Sequence, residues 1–279
     1  MPLCISPYLY VDDRHRALAA ESGHDCFTLA FVTGYAHGKA VWDAGVAPCA
    51  GFAKGLKRVT VSFGGAGSKT NELAGAIKDV RALAKAYEDV ARTYGAAELD
   101  FDVEGGSLGD HAAIARRNAA LALLPADIAL SYTLPVMPSG LDAASVALLR
   151  DAAKRGVRVG TVRVMAMDYG THTRDMAAAA VQAAKAAYRQ VQAAGLARAR
   201  IGIIPMIGVN DTAGERFTLR DAMALREFAA ATPWVSTLSY WSLNRDRGAR
   251  VSATASDAES GVVQAPFEFL HVLTGRKSL

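Results

Sequence analysis

The sequence predicts an α/β fold in a single domain over residues 1–279, with eight strand-helix units closed into a (β/α)8 TIM barrel. Three observations carry this prediction. Short alternating or β-branched runs are followed repeatedly by alanine-rich amphipathic segments. Such units need right-handed crossovers and therefore a parallel sheet. Eight of them in 279 residues, without a long linker rich in Pro, Gly or Ser, fit a closed barrel better than an open sheet.

The strands are predicted where β-branched and aromatic residues cluster or where apolar residues alternate with polar ones. In chain order they are 6–11, 27–33, 58–64, 98–104, 127–135, 161–168, 200–207 and 235–241.

The helices are predicted in the segments between these strands, where apolar residues recur at helical spacing. They are 69–94, 108–124, 141–155, 176–194 and 219–231, with a last helix over 266–273. The polar segment 247–261 is expected to form a loop over the barrel rim. An open α/β sheet with an antiparallel edge is the alternative architecture.

Composition excludes several classes of protein. The chain has 31 Lys+Arg against 27 Asp+Glu and no long basic run, so a nucleic-acid partner has little support. The alanine-rich run 175–195 contains Lys185 and Arg189, which make it too polar to span a bilayer. Cys4, Cys26 and Cys49 are widely spaced, without a C-x-x-C pair, and none is expected to be a metal ligand or a nucleophile.

Three acids alternate with apolar residues along the fourth predicted strand. Asp100, Asp102 and Glu104 share one face because successive side chains of a strand point to opposite sides. The outer face of a barrel strand packs under helices, so the apolar residues point outward and the acids inward. Two glycines follow Glu104 and end the strand at its carboxyl end, where barrel enzymes carry their active sites. We call these three residues the acid ladder.

Like charges in a barrel interior cannot all stay ionised without partners, so at least one acid should hold a proton near neutral pH, as a general acid requires. Two alternatives compete with this interpretation. Basic side chains of neighbouring strands could neutralise the ladder, although the other strands are expected to carry few inward basic residues. A divalent metal could bind Asp-x-Asp-x-Glu with Asp168 as a further ligand, but most of the histidines fall outside the strand ends.

Two further strand ends carry groups suited to binding a sugar. Asp168 and Tyr169 end the sixth predicted strand, and Trp241 ends the eighth. An indole face at the floor of an open mouth can stack on the apolar face of a sugar ring. The alternative role for Trp241 is to plug the barrel.

Four motifs resemble glycoside hydrolase family 18, the chitinases and their relatives. LDFDVEG is similar to the fourth-strand signature D-x-x-D-x-D-x-E, and VSFGG, with Ser62, Gly64 and Gly65, is similar to S-x-G-G on the third strand. VMAMDYG and SYWSLNRD resemble the sixth-strand and eighth-strand motifs. With SPYLY on the first strand and IIPMIGVND on the seventh, the resemblance covers nearly the whole chain in order.

The resemblance implies a substrate-assisted mechanism. Glu104 would be the general acid that protonates the glycosidic oxygen, and Asp102 would orient the 2-acetamido group and pass charge between Glu104 and the deeper Asp100. The acetamido oxygen attacks in place of an enzyme carboxylate, so an oxazolinium intermediate forms and the anomeric configuration is retained.

The resemblance also implies the supporting residues. Ser62 and one of Tyr8 or Tyr10 would hydrogen-bond the lower end of the ladder, and spacing does not decide between the tyrosines. Asp168 would contact the acetamido group or the distorted sugar, and Trp241 would form the apolar floor.

Met206 would help to line the same pocket.

Two positions depart from the family pattern. Ala97 stands where the first Asp of the signature is expected, at the entry to the strand. Met167 stands where the sixth-strand motif M-x-Y-D has its tyrosine, so Met167 would line the pocket. The hydroxyl that holds the acetamido oxygen in the family would then come from another residue, and Tyr169 is a candidate.

Many family members insert an α+β domain between the seventh and eighth strands, but only the 27 residues 208–234 separate them here. We therefore expect no large insertion domain and an open groove suited to endo-acting cleavage. The sequence thus predicts a chitinase acting on chitin or N-acetylglucosamine oligosaccharides. An endo-β-N-acetylglucosaminidase acting on N-glycans and a non-catalytic lectin are the alternatives, although lectins often lose the terminal acid, which is present as Glu104.

No cofactor, metal, nucleic-acid or membrane partner is expected, and the protein is expected to be monomeric. The resemblance implies an extracellular location, although no leader pattern opens the chain.

Overall fold

The computed structural model describes residues 3–43, 50–67, 71–170, 173–248 and 250–276, and within them it confirms the predicted (β/α)8 fold. The strands are β1 Cys4–Ile5, β2 Tyr8–Tyr10, β3 Cys26–Ala36, β4 Lys39–Trp42, β5 Arg58–Gly64, β6 Glu98–Asp102, β7 Ala129–Pro135, β8 Val159–Met165, β9 Arg200–Ile204, β10 Gly208–Val209, β11 Arg216–Phe217 and β12 Val235–Leu238.

The sheet closes through the first barrel strand, which consists of β1 and β2 and begins two residues before the predicted range 6–11. Nine strands follow the order β1-β12-β9-β8-β7-β6-β5-β3-β2, and every neighbouring pair along it is parallel. The two residues between β1 and β2 continue the pairing on both sides, because the Ser6 amide donates to the Leu238 carbonyl at 3.0 Å and the Thr28 amide donates to the Pro7 carbonyl at 2.9 Å. Since β1 and β2 act as one strand, the described residues form a barrel of eight strands.

The helices cover the outside of the barrel. They are α1 Asp13–Glu21, α2 Glu72–Ala76, α3 Val80–Tyr94, α4 His111–Leu121, α5 Ala143–Lys154, α6 Met176–Ala193, α7 Leu219–Ala230 and α8 Glu268–Thr274, with 3-10 turns at Ala50–Ala53, Gly105–Gly109 and Leu243–Arg245. The helix predicted over 69–94 is two helices, because Ile77 is extended and the Asp79 side chain caps α3 by accepting from the Ala82 amide at 2.8 Å. Residues 69 and 70 lie outside the described residues.

Three elements were not predicted from the sequence. They are α1, the antiparallel hairpin of β3 and β4, and the small hairpin of β10 and β11. The segment 208–234, which is described throughout, holds only this second hairpin and α7. The prediction of no large insertion domain between the last two barrel strands is therefore confirmed for this segment. Of the predicted loop 247–261, the described residues 247, 248 and 250–261 are largely without regular structure, as expected, and Asp257 among them lines the cavity described below.

The apolar face of β6 points outward and anchors the strand. Leu99, Phe101 and Val103 are at most 2 % exposed, and the ring of Phe101 stacks on that of Phe63 at 5.1 Å and meets that of Tyr87 at 5.0 Å. Burial of each large apolar side chain contributes about 1.5–3 kcal/mol. A slip of one residue would exchange the two faces of the strand, so this packing determines that the acids face inward.

A buried polar network joins the helix layer to the turn that follows β6. The Glu72 carboxylate, 2 % exposed, accepts from Arg117 Nε at 2.6 Å and from the Tyr87 hydroxyl at 2.7 Å. Arg117 Nη2 also donates to Asn71 Oδ1 at 2.7 Å, and Asn71 Nδ2 donates to the Ser107 carbonyl at 3.1 Å. Ser107 belongs to the 3-10 turn after β6, so the network holds the chain just beyond the acid ladder.

In the described part of the chain, no helix combines the length and apolar character that a membrane span needs. Cys4 and Cys26 are half-buried and free, and burial, with smaller contributions from neighbours including Asp25, raises the pKa of Cys26 to about 11. Both therefore remain thiols near neutral pH. Cys49, which is also expected to be neither a metal ligand nor a nucleophile, lies outside the described residues.

Replacing Arg117 with Met should lower the free energy of unfolding by about 3–5 kcal/mol, because the Glu72 charge would stay buried without its partner. Urea denaturation of the purified protein measures this loss. Arg92→Met is the matched control, since the ion pair of Arg92 with Asp127 lies on the surface at 2.7 Å, and this variant should unfold close to the unmutated protein. Equal stability of the two variants would contradict the assigned role of the network.

Candidate active site

The acid ladder lies inside the barrel as predicted and becomes more exposed toward its mouth. Asp100 is 0 % exposed, Asp102 is 6 % exposed, and Glu104 is half-buried just after the end of β6. The neighbouring strands are in register with it, so that Ser62 on β5 and Ser131 on β7 both pair with Asp100. The three acids are therefore in different environments, although they share one face of one strand.

Asp100 is enclosed by hydroxyl groups. Its carboxylate accepts from Ser62 and Ser131 at 2.7 Å each, from Thr133 at 3.0 Å and from the Tyr8 hydroxyl at 3.1 Å. Of the two tyrosines that the sequence left open, Tyr8 makes this contact. Burial, with Asp100 and Asp102 adding to it, holds the pKa of Tyr8 well above its ordinary value, so the phenol keeps the proton that it donates.

Asp102 lacks such a set of donors. Its Oδ1 is buried and has no hydrogen-bond partner among the described residues. Burial raises the pKa of Asp102 well above its ordinary value, and the charges of Glu104 and Asp100 raise it further. Burial also raises the pKa of Glu104. The pKa values of the upper two acids are thus both raised, which favours one proton shared and exchanged between them.

Two glycines of the VSFGG motif make room for the ladder. Gly64 has φ +100°, and a Cβ there would lie 2.1 Å from the Asp102 carbonyl oxygen. The Gly65 amide donates to that same oxygen at 3.1 Å, and a Cβ at Gly65 would meet the Phe31 ring at 2.9 Å. The glycines thus allow β5 and the residue after it to approach the backbone of Asp102 and the aromatic side of the pocket.

The expectation of few inward basic residues on the other strands is wrong at one important position. Arg163 on β8 points into the barrel and is 1 % exposed, with Nη2 3.1 Å from Glu98 Oε1 and Nε 3.8 Å from Asp100 Oδ1. Glu98 lies on the same face of β6 as the ladder, two residues below Asp100, and was also missed. The alternation of TVRVM, with Val162 and Val164 outward, could have identified Arg163.

A cavity of about 270 Å³ opens above the ladder. It is lined by Asp102 and Glu104, by the sequence-predicted residues Tyr8, Met167, Asp168, Met206 and Trp241, and by Tyr10, Phe31, Ala66, Gly67, Thr133, Met165, Ile204, Asp211 and Asp257. Ser62 lies deeper, against Asp100. Most of the predicted pocket residues therefore converge around the two upper acids.

The floor of the cavity is aromatic. The Trp241 indole is half-buried and stacks on Phe31, with ring centres 5.6 Å apart and planes at 19°, and Tyr10 meets its edge at 5.2 Å. Burial, with the nearby carboxylates of Asp43 and Asp257 adding to it, raises the pKa of Tyr10 to about 12. Trp241 thus presents a supported apolar surface to the cavity and does not merely fill the barrel.

Asp168 is held at the wall of the cavity by backbone groups. Its Oδ1 accepts from the Thr212 amide at 2.7 Å, and its own backbone is left-handed, with φ +52°. Asp211, another lining residue, has its pKa raised by burial and by the Asp168 charge. Asp168 is therefore oriented by the loop after β10 rather than by β8 alone.

The prediction that Tyr169 could supply a hydroxyl to the pocket is not supported. Tyr169 is 3 % exposed, packs in the core outside the barrel and is absent from the described lining of the cavity. Its amide donates to Glu215 Oε2 at 3.0 Å. The left-handed backbone of Asp168 and of Gly170, φ +72°, turns the chain so that the side chain between them faces away. Tyr8 and Tyr10 are the tyrosines that line the cavity in the described residues.

A second cavity of about 460 Å³ adjoins the first at Glu104. It shares Glu104, Met165, Met167 and Asp168 with the first and extends along residues 135–137 and 139–142 after β7. The terminal acid of the ladder thus lines two adjoining cavities.

Phe31 shows why some of the lining was not predicted. It is two residues beyond Leu29, which faces the outer core, and simple alternation would place it outward as well. The pairing of β3 with β5 shifts register between Leu29 and Val32, and this irregularity turns Phe31 toward the cavity. Asp211 and Asp257 lie on loops, where no periodicity identifies them.

No group of at least three His, Cys, Asp or Glu residues within the described ranges has the arrangement needed to hold a metal ion.

No protein-family model matches the chain. Among curated proteins it is similar to Endochitinase 11 of Metarhizium anisopliae, with 32 % identity over 271 residues, 83 % of this chain and 49 % of the relative. It is also similar to the probable bifunctional chitinase/lysozyme of Escherichia coli K12, with 34 % identity over 210 residues, 67 % of this chain and 23 % of the relative. The chain thus spans about half of one curated relative and about a quarter of the other.

Among solved structures, active domain 2 of the thermostable chitinase from Pyrococcus furiosus, studied as catalytic-site mutants complexed with chito-oligosaccharides, superposes with a TM-score of 0.85. It is 29 % identical in sequence, and the match covers 99 % of this chain and 95 % of that one. Because the similarity in fold and sequence extends over all the strands whose ends carry the family motifs, the chain belongs to glycoside hydrolase family 18.

Proposed function

We propose that this chain is a retaining endo-chitinase that hydrolyses β-1,4 links between N-acetylglucosamine units by substrate-assisted catalysis. One observation carries the proposal: Asp100 is saturated with donors, Asp102 above it has a buried oxygen without a partner, and Glu104 stands at the cavity with a raised pKa. These three environments support a mechanism in which a proton moves between Asp102 and Glu104 while Asp100, the lowest acid, stays held by its hydrogen bonds.

In the first step Glu104 gives its proton to the glycosidic oxygen as the bond from that oxygen to the anomeric carbon breaks. The acetamido oxygen of the same sugar forms the new bond to the anomeric carbon, which yields the oxazolinium ion. Asp102 accepts the hydrogen bond of the acetamido N–H and balances the positive charge, for which its free Oδ1 is suited. Water then attacks the anomeric carbon as the bond from that carbon to the acetamido oxygen breaks, which restores the acetamido group. The water gives a proton to Glu104, so the acid is regenerated and the configuration is retained.

The remaining groups bind and shape the sugar. Trp241, stacked on Phe31, offers the apolar floor, and Met206 and Met167 complete the apolar wall. Asp168, whose Oδ1 is oriented by the Thr212 amide, would hydrogen-bond the acetamido group or the distorted ring. Ser62 and Tyr8 act on Asp100 and do not contact the sugar in this scheme.

Two adjoining cavities that share Glu104 favour cleavage within a polymer, because they leave room for sugars before and after the cut. A monomeric state is part of the proposal, because every residue in the scheme belongs to one copy of the chain. An extracellular location is part of the proposal, because an insoluble polymer has to be cut outside the cell. Chitin oligosaccharides are the proposed ligands, as in the complexes of the Pyrococcus furiosus relative.

Replacing Glu104 with Gln should reduce kcat on N-acetylglucosamine hexamer by at least about 10²–10⁴-fold, since the amide cannot donate the proton that the leaving group needs. Steady-state kinetics measure the change, and binding of the hexamer by calorimetry should remain within a few fold. Glu88→Gln on the outer helix α3 is the matched control and should behave as the unmutated protein. Retained turnover in the Glu104 variant would refute the assignment.

Replacing Asp102 with Asn should lower kcat and move the basic limb of the pH profile to lower pH. Glu104 must be protonated to act, and it loses its proton more readily when no negative charge stands beside it. Rates measured from pH 4 to pH 9 test this. A profile of unchanged shape in the Asn variant would show that Asp102 does not share charge with Glu104.

The product profile separates the candidate substrates. Hydrolysis of colloidal chitin should release short oligomers of mixed length, and the hexamer should be cut at internal links, at rates unaffected by excess chelator. Release of glycans from a glycoprotein without action on chitin would instead indicate the endo-β-N-acetylglucosaminidase. Binding of the hexamer without any turnover would indicate a lectin.

A further inference from the structure

An ion pair lies beneath the acid ladder and has no part in the scheme above. Arg163 Nη2 is 3.1 Å from Glu98 Oε1, its Nε is 3.8 Å from Asp100 Oδ1, and its Nη1 donates to Thr28 Oγ1 at 3.0 Å. Arg163 is 1 % exposed and Glu98 is 4 % exposed. A cation and an anion are therefore buried in the barrel interior, next to the lowest acid of the ladder.

The neighbouring strand leaves space for this arginine. Gly202 on β9 pairs with Arg163 on β8, and a Cβ at Gly202 would lie 2.8 Å from Arg163 Cγ. The absence of a side chain there lets the guanidinium reach across the interior to β6. The outer end of the pair is completed by Arg58 on β5, whose Nη2 donates to Glu98 Oε2 at 3.2 Å while its side chain is 46 % exposed.

Both members of the pair keep their charge. Burial acts to lower the pKa of Arg163, but Glu98 and Asp100 outweigh it and hold the pKa above its ordinary value. Burial acts to raise the pKa of Glu98, but Arg163 and Arg58 outweigh it and hold the pKa below its ordinary value. The ladder thus stands over one fixed positive and one fixed negative charge, in a medium that screens charges weakly.

We propose that Arg163 and Glu98 are positioning residues that set how much negative charge the acid ladder carries, Arg163 favouring that charge and Glu98 opposing it. The proposal rests on the proposed function, because the charge of the ladder matters only if Glu104 and Asp102 exchange a proton during catalysis. Arg163 touches Asp100 and acts on Asp102 and Glu104 through it.

The other groups near the ladder do not replace this pair. Tyr8 from β2 stays neutral, because burial and the ladder itself keep its pKa high, and the hydroxyls from β5 and β7 carry no charge. In the described residues, the titratable or charged groups around the ladder and the cavity include Arg58, Glu98, Arg163, Tyr8, Tyr10, Asp168, Asp211 and Asp257. Cys4 lies near the ion pair, Asp43 acts on Tyr10, and Arg245 acts on the three aspartates of the cavity wall. Among these groups, Arg163 is the cation that lies next to a carboxylate of the ladder, with its Nε 3.8 Å from Asp100 Oδ1.

The test is the pH profile of kcat/KM on N-acetylglucosamine hexamer for three variants. Arg163→Met should move the profile to higher pH by about one unit, because the ladder then holds its protons more tightly. Glu98→Gln should move it by a similar amount to lower pH, because Arg163 then acts unopposed. The double variant Arg163→Met, Glu98→Gln should return it to within a few tenths of a unit of the unmutated position, whatever its kcat.

Arg163→Lys provides the conservative control. It keeps the positive charge and should leave the profile closer to the unmutated position than Arg163→Met does, even if kcat falls. Should Arg163→Met fail to fold, Glu98→Gln and Arg163→Lys carry the test on their own. Shifts of opposite sign in the two single variants support the proposal. A lower kcat with an unmoved profile in each, or shifts of the same sign, overturns it and leaves the pair a structural role.

A second measurement, made without substrate, separates failure of the proposed function from failure of the proposed role of Arg163 and Glu98. Titration of carboxyl carbons by ¹³C NMR follows the protonation of the ladder without substrate, and the same opposite shifts are expected there. Absence of turnover by the unmutated protein, with these NMR shifts present, would refute the proposed function while the role of the ion pair stands. Turnover without the NMR shifts would refute the role of the ion pair alone.

Discussion

The interior of this barrel depends on one enclosed carboxylate. Asp100 has no solvent access, and an ionised group so placed is stable only when hydrogen bonds and an opposite charge replace water. Four strands supply those groups, from Ser62 on β5, Ser131 and Thr133 on β7, Tyr8 on β2 and Arg163 on β8. The register of the strands therefore determines whether the buried Asp100 is stabilised, since a slipped strand would remove a donor from its carboxylate.

The graded environment of the ladder explains how three similar side chains can do different work. Asp100 has donors on both oxygens, Asp102 has a buried oxygen without a partner, and Glu104 reaches the cavity. Asp102 is the acid whose surroundings leave it free to change partners between the fixed acid below and the exposed acid above. In the proposed reaction, Asp100 stays in place with its hydrogen bonds while the upper two acids move a proton, and the substrate supplies the nucleophile.

Local periodicity predicted the fold and the ladder well, because both follow from which face of a strand is apolar. The same alternation in β8 places Arg163 on the inner face, between the outward Val162 and Val164, so this residue was predictable from the sequence. Local periodicity does not predict the orientation of other residues. Phe31 faces the cavity because the register of β3 shifts beside it, and Tyr169 leaves the cavity because Asp168 adopts a left-handed backbone. Such irregularities depend on tertiary contacts that no window of sequence contains.

The central claim is that no carboxylate of the ladder attacks the sugar and that the acetamido group does so instead. The most direct measurement is hydrolysis of a chitin oligomer in which the sugar on the non-reducing side of the cleaved link carries a 2-hydroxyl in place of the 2-acetamido group. We predict that this analogue binds in the groove and is not cleaved at that link, while the parent oligomer is. Cleavage of the analogue at a rate comparable with that of the parent would contradict the account, because an enzyme group would then have to supply the nucleophile.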